Sequence, residues 1–428
     1  MSVSGPYNMT QDSQQDAEPA AMAYNNQGTI YMTGVYIKIV NGTTPRNYYT
    51  TTADFNTFYR DQLAMPAGYL YSFDPLMSKN PYTNGVAPGR IYASGIVANG
   101  SNNPPNAVAV WRTDNGGISW AQPTLAAVNN NAAYVLDKPA VIVSWYSGTR
   151  GYVYVAYIKV DAYHQPPQNP QNQLLVARST DGGLTFVNIT PTPIATGYIQ
   201  GPQILVNPNN GYIYVLWTDY NLNAIRMSTS TNLGQTWSSP ETAATGNMLS
   251  FVPGDRINGN MKAGSLAMAR FNWAANRICV VWHERQADTP PPQIPKADVY
   301  YTAKGPRGWQ AKVRINDVTT NDQFMPALDF DSTGNLVVTF YDRRDDPNNM
   351  LYHLYMAHIY STGTRLAPTS RVSTFQSDPT EYTGDFPSFI GDYQDLWLQT
   401  GFPSGAWYLS GSVGIPSVGD IYGYGIQP

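Results

Sequence analysis

The residues with the means to do chemistry are scattered and few. The chain has four glutamates, and Glu284 follows an apolar run ending in Trp282 and His283, where a half-buried carboxyl can serve as an acid or base. Asp219 ends a similar run at WTD and is followed by Tyr220, while Arg285 follows Glu284 and Arg343 and Arg344 follow Asp342. Arginines beside carboxylates and an aromatic ring are what a sugar site uses: charged groups for hydroxyls or acids, a flat ring for stacking. On this ground Glu284 and Asp219 are candidate catalytic residues, and Arg256, Arg285, Arg343 and Tyr220 candidate substrate-binding residues. A second, mostly acidic series recurs along the chain at Glu18, Asp74, Asp137, Gln200, Lys262, Asp322 and Asp385. Convergent carboxylates of this kind suit sugar recognition or a structural calcium ion, which favours several oxygen ligands, although no cofactor is required. A structural role as turn caps or inter-blade ion pairs stays open for each of them, and for Asp342–Asp346.

Other chemistries lack their residues. His164, His283, His353 and His358 have no metal-ligand spacing, and 353 and 358, five apart in a strand-like stretch, fall on opposite faces. There is no phosphate-binding glycine loop, no GxSxG elbow and no Cys/His pair. The single Cys279 excludes an intramolecular disulfide and reads as a small core residue. Charged residues make up 13% of the chain and the formal net charge is -4, so there is no basic field for a nucleic-acid backbone. No apolar run of about 18 residues and no leader pattern is present, so neither a membrane span nor an export signal is expected in this sequence.

The elements that must position these groups repeat. A proline followed by an apolar stretch occurs at Pro19, Pro75, Pro139, Pro202, Pro326 and Pro387, with gaps of 56, 64, 63, 124 and 61 residues. The long gap is two periods, and its missing member falls at Met261–Phe271, with Ala263 and Gly264 in the proline's place. Each unit continues with a polar turn and a short run rich in Val, Ile and Tyr, such as GYVYVAYIKV from Gly151 and GNLVVTFYD from Gly334. Such runs are strands rather than helices. A further turn then follows a pattern Ser/Thr-x-Asp-x-Gly-x-Thr-Trp/Phe: STDGGLTF from Ser179, TDNGGISW from Thr113 and STNLGQTW from Ser230, with Asn115 and Asn232 in the Asp place. Looser versions start at Thr52 and Thr302.

A repeat of about 62 residues with four short strands per unit predicts an all-β chain folded as one β-propeller of four-stranded antiparallel blades over 1–428. Seven blades are expected, starting near 18, 74, 138, 201, 262, 325 and 386, with residues 1–10 as a closing strand; six is the alternative if the last unit is an appendage.

Those turns, with WTD at 217–219, FYDRRDDPNN at 340–349 and FIGDYQDLW at 389–397, resemble the sialidase-like Asp-box (BNR) propellers over nearly the whole chain. The resemblance implies a site at the channel mouth, opposite the Asp boxes, and activity on extracellular glycans. Sialidases pair a tyrosine nucleophile with a glutamate and use an aspartate as acid/base, so the resemblance makes Tyr393 a third catalytic candidate. The Arg-Ile-Pro motif of true sialidases is absent; Arg90-Ile91-Tyr92 is the nearest sequence. The reading is a propeller outside the cell or on a surface that binds, and as a glycoside hydrolase cleaves, a glycan or polysaccharide. The alternative is a structural or adhesive propeller in a surface layer, filament or virion, with blade-edge contacts forming a homo-oligomer. The Pro- and Gln-rich loops from Asp161 and from Glu284, with Tyr163, Tyr220 and Trp145 nearby, could wall a groove or serve only as stiff surface loops.

Overall fold

The computed structural model describes residues 2–427 except 12–13, 27–28, 55, 80–89, 101–103, 165, 167, 253–254, 287–295, 332, 361, 382–388, 403–404 and 415–419. Asp385, the blade start at 386 with Pro387, and most of the loop after Glu284 therefore lie outside the described residues. No helix among the described residues is long and apolar enough to cross a membrane.

Among the described residues the strands form seven antiparallel sheets, each with a path of four strands, consecutive along the chain in six of them. Their innermost strands are Gln15–Asn26, Tyr71–Lys79, Tyr134–Val143, Ile199–Val206, Met268–Asn272, Gln323–Phe330 and Asp395–Phe402, which we number as blades 1 to 7. Each inner strand lies against the next, and that of blade 7 lies against that of blade 1, so the sheets close into a propeller. In blade 7 the chain contributes three strands, and Ser2–Asn8 pairs with Asp420–Gln427 as the outer fourth. Asn8 and Thr10 then anchor to Asp420 through side-chain hydrogen bonds of 2.8 and 3.0 Å.

Because side chains alternate across a strand, both faces of each sheet bury apolar groups against neighbouring blades. Trp111, Trp217 and Trp282 are fully buried in the second or third strands of blades 2, 4 and 5, and Cys279 is buried among apolar neighbours. The polar turns join the blades. In blade 3, Asp181 Oδ1 accepts the N–H groups of Leu184 and Thr185 at 3.0 Å each, and Ser179 Oγ accepts that of Gly183 at 2.8 Å. Asn115 and Asn232 accept from Ser119 and Thr236 in the same way. Each turn leans on the preceding blade: Thr33 hydroxyl donates to Gly116 carbonyl, Tyr92 hydroxyl to Gly182 carbonyl, and Arg178 to Leu233 carbonyl. At Gly234, with φ +84°, a Cβ would come within 2.3 Å of Ile189 of blade 3, so the turn fits only without a side chain.

The feature that shapes the centre is a bulge. In blades 1, 2, 3, 4 and 6 the pairing of the first two strands slips by one residue at the X-Pro pair: Ala17/Ala20, Phe73/Leu76, Asp137/Ala140, Gln200/Gln203 and Phe324/Ala327. The residue before the proline takes a left-handed backbone, with φ of 51° at Glu18, 53° at Asp74, 48° at Lys138, 60° at Gly201 and 48° at Met325. A bulge re-aims a side chain, and a non-glycine residue at positive φ costs about 1–3 kcal/mol. Pro removes a donor at the one place where the ladder is already broken.

Candidate functional site

Three bulge residues, from blades 1, 2 and 3, meet at the centre with a residue from the segment leading into blade 7. Lys138 Nζ lies 2.6 Å from Asp74 Oδ1, 2.5 Å from Asp392 Oδ2 and 3.9 Å from Glu18 Oε1. One oxygen from each of Glu18, Asp74 and Asp392 lies within 4.8 Å of the other two. The Asp392 N–H donates to Glu18 Oε1 at 3.0 Å, and Gly391, at φ +105°, makes room: a Cβ there would meet Glu18 Cγ at 2.5 Å. All four side chains are buried. Asp137, next in sequence to Lys138, accepts a hydrogen bond from Gln200.

The lysine divides the carboxyls into two kinds. Burial alone would raise every one of them. At Asp74 and Asp392 it is overridden, chiefly by the Lys138 ammonium, and both are held below the usual carboxylate range. Glu18, farther from the ammonium, is pushed well above it by burial and by the charges of Asp74 and Asp392. Asp137 is pushed up to about 7 by burial and by Asp74. Lys138 itself stays charged, because Asp392, Asp74 and Glu18 together outweigh its burial. Carboxyls shifted in opposite directions thus stand side by side.

Tyr393 belongs to this cluster. Its ring lies 5.7 Å from Lys138 Nζ, and its buried hydroxyl has no hydrogen-bond partner among the described residues. Burial, then the charges of Glu18 and Asp74, push its pKa well above that of a free phenol. Beside the cluster stands Lys262, 28% exposed, whose Nζ lies 3.3 Å from Asp392 Oδ1 and 4.9 and 4.5 Å from the ring centres of Phe251 and Phe389. The buried Tyr220 packs tilted against Tyr198, with ring centres 4.8 Å apart, and meets Phe251 edge-on at 6.1 Å. Tyr198, Phe251 and Phe389 are half-buried, and such rings beside an ion pair are a surface on which a sugar can stack.

The other sequence-derived candidates fall in two groups. Near the aromatic rim, Arg285 pairs with Asp255, Arg256 donates to the Phe251 carbonyl at 3.3 Å, and Asp219 accepts the N–H of Leu222 at 3.1 Å in a hairpin turn. Glu284 and Arg343 are engaged elsewhere. The Glu284 carboxylate is buried, accepts from Trp282 Nε1 at 2.8 Å and pairs with Lys312. Gly246 lies so close that a Cβ there would sit 1.7 Å from Glu284 Oε2. Arg343 is fully buried and donates to Asp322 at 3.2 Å and to the carbonyls of Asn258 and Asn349 at 2.9 and 3.0 Å. These contacts tie Glu284 and Arg343 to the scaffold. Arg344 pairs with Asp342 and Asp317 at 2.6 and 3.0 Å. His283 spans two blades, facing the Ala263 carbonyl at 3.1 Å and the Met325 N–H at 3.3 Å.

Lys138 and Asp392 are absent from the sequence-derived candidates. Lys138 had a signal, since it precedes Pro139 as Glu18 precedes Pro19 and Asp74 precedes Pro75. Asp392 had none beyond its place beside Tyr393.

No family model and no curated protein matches the sequence. Solved structures do match in shape. A Hadza microbial sialidase superposes with a TM-score of 0.50 at 14% identity, over 86% of this chain and 68% of that one. An α-L-arabinofuranosidase from Fusarium graminearum, solved with an iminosugar inhibitor, gives 0.51 at 10% identity over 99% and 96%. An α-L-arabinanase from Penicillium chrysogenum, solved with arabinobiose, gives 0.51 at 11% identity over 85% and 95%. At these identities the likeness is one of fold, a β-propeller shared with these glycosidases.

Proposed function

We propose that this protein is a glycoside hydrolase-like propeller that binds a glycan at the channel mouth and cleaves it at the Glu18–Asp74 pair. The supporting observation is the cluster itself: two carboxyls with oxygens within 4.8 Å, Glu18 shifted toward its protonated form by burial and acidic neighbours and Asp74 toward its ionised form by the nearer lysine. Glycoside hydrolysis needs that division, an acid to protonate the leaving oxygen and an anion facing the developing positive charge. Glu18 supplies the proton. Asp74 faces the sugar carbon, and its closeness to Glu18 suits the spacing of about 5 Å associated with retention rather than the wider one of inversion. Tyr393, with a free hydroxyl in the same cluster, is the alternative nucleophile; its proton would pass to an ionised carboxylate, Asp74 or Asp392, as its oxygen bonds to carbon. Tyr220, Tyr198, Phe251 and Phe389 hold the sugar rings, with Arg256 and Arg285 at the rim. Both lysines are already matched to carboxylates, which favours an uncharged sugar over an anionic one. A glycan ligand in turn places the protein outside the cell or on a surface.

The test is a panel of chromogenic glycosides and polysaccharides incubated with the wild-type chain and with Glu18→Gln, Asp74→Asn and Tyr393→Phe. Turnover that drops about 100-fold or more in Glu18→Gln and Asp74→Asn is the expected result. A drop in Tyr393→Phe of the same size assigns the nucleophile to the tyrosine. Turnover unaffected by the carboxyl variants, or no turnover and no glycan binding, would end this reading. The nearly complete burial of Glu18 and Asp74, 1% and 4% exposed, favours a second one, a propeller that binds or assembles without cleaving. It predicts glycan or surface binding that survives in Glu18→Gln.

A further inference from the structure

Glu18, Asp74 and Asp392 form, by their oxygens, the kind of small buried cage that a divalent cation takes, with all three acceptors within 4.8 Å of one another. The centre of that cage is filled from within the chain. The ammonium of Lys138 reaches Asp392 at 2.5 Å and Asp74 at 2.6 Å, with Glu18 at 3.9 Å. A calcium ion would sit 2.3–2.6 Å from the same oxygens. Two further oxygens stand beside the cage without hydrogen-bond partners among the described residues, Glu18 Oε2 and the Tyr393 hydroxyl, the latter in a side chain 5% exposed. The cage also spans the ring. Its members come from blades 1, 2 and 3 and from the segment entering blade 7, so whatever cation fills it joins four consecutive blades.

We propose that Lys138 is the resident cation of this cage: a positioning residue that takes the place of a divalent ion and holds Glu18, Asp74 and Asp392 in their shared geometry. Three observations converge on it. The acceptors lie within 4.8 Å of one another and are buried, an arrangement that a positive charge among them relieves. The lysine is delivered by the same proline bulge that delivers Glu18 and Asp74, at φ 48° against 51° and 53°. Lys262, the other cation nearby, is 28% exposed and reaches only Asp392, so it cannot replace Lys138. The proposal concerns how the cage is filled and stands whether or not the site cleaves glycans.

The experiment uses the full chain as wild type, Lys138→Ala and Lys138→Met, each melted in chelator and in millimolar calcium or manganese. Manganese binding is read directly by electron paramagnetic resonance. Lys138→Ala opens the cage, and it is expected to melt lower in chelator, to recover with either metal, and to bind manganese at least about tenfold more tightly than wild type. Lys138→Met fills the space without a charge and is expected to melt lower with no recovery. A Lys138→Ala chain soluble only when expressed with calcium supports the proposal in the same way. It is overturned if Lys138→Ala neither gains manganese binding nor recovers with metal, if that chain is insoluble under both conditions, or if wild type binds the metals as tightly as the variant does.

Discussion

Arg343 shows what full commitment of a charged side chain to the scaffold looks like. It is 0% exposed, burial works against its charge, and Asp322 offsets this at Nη1, which two carbonyls also share, while Nη2 faces the Met261 sulfur. Removing the guanidinium leaves Asp322 buried and unpaired, so Arg343→Met should cost about 3–5 kcal/mol in urea unfolding, and adding Asp322→Asn should return part of that loss. Glycan binding per folded molecule should stay unchanged, which a pull-down on an insoluble polysaccharide can check. Asp137 yields a pH dependence of definite sign. Its folded carboxyl titrates at about 7 against 3.8 for the free group, so between those values the folded chain holds a proton that the unfolded chain has released. The stability it contributes is present below about pH 4 and is lost as pH rises through about 7. Melting temperatures of wild type and Asp137→Asn across that window should diverge in favour of the variant as pH rises; parallel curves would show that the group titrates normally.

At the scale of the element, the turns and the bulges divide the work of the fold, and they were unequally legible. The turns declare themselves by residue type: an Asp or Asn that accepts the N–H four residues on and a Gly at positive φ must stand at fixed offsets, so the pattern at Ser179, Thr113 and Ser230 could be read directly. Gly234→Ala should therefore cost more than Asp181→Ala. The first combines φ +84° with a Cβ 2.3 Å from Ile189, worth about 1–3 kcal/mol; the second loses turn hydrogen bonds worth about 1 kcal/mol at an exposed position. Denaturant titration of the two single variants decides the order. The bulges were legible only in part. The prolines marked inner strands, inside which they fall a few residues after the start, but not that the preceding residue is turned toward the axis, which depends on a one-residue slip in pairing. The acidic series of the sequence therefore mixes Glu18 and Asp74, which reach the cluster, with Gln200 and Asp322, which serve turns and ion pairs, and it passes over Lys138. Glu284 was legible as an unusual carboxyl, but its partner Lys312 lies 28 residues away in the segment before Val313–Arg314, a distance that local pattern cannot bridge.

The whole molecule is a ring, and a ring has one joint. Six sheets are built from consecutive strands, whereas blade 7 takes its outer strand from the other end of the chain. Its closure rests on the pairing of Ser2–Asn8 with Asp420–Gln427 and on the hydrogen bonds from Asn8 and Thr10 to Asp420. The central cluster adds a second tie across the same joint, since Asp392 precedes blade 7 while Glu18 lies in blade 1, and Asp395 Oδ2 accepts the Ala21 N–H at 3.2 Å. Two ties of different kinds predict different failures. Deleting residues 1–10 leaves the edge of Asp420–Gln427 unpaired, an open template for another chain, so the truncated protein should associate at high concentration while its inner strands still touch. Asp392→Asn instead weakens the axial tie with the outer edge intact, and should lower the melting temperature without inducing association. Size-exclusion chromatography with light scattering, run beside thermal melts, separates the two; association in Asp392→Asn but not in the truncated chain would mean that the axial cluster, rather than the borrowed strand, keeps the ring closed.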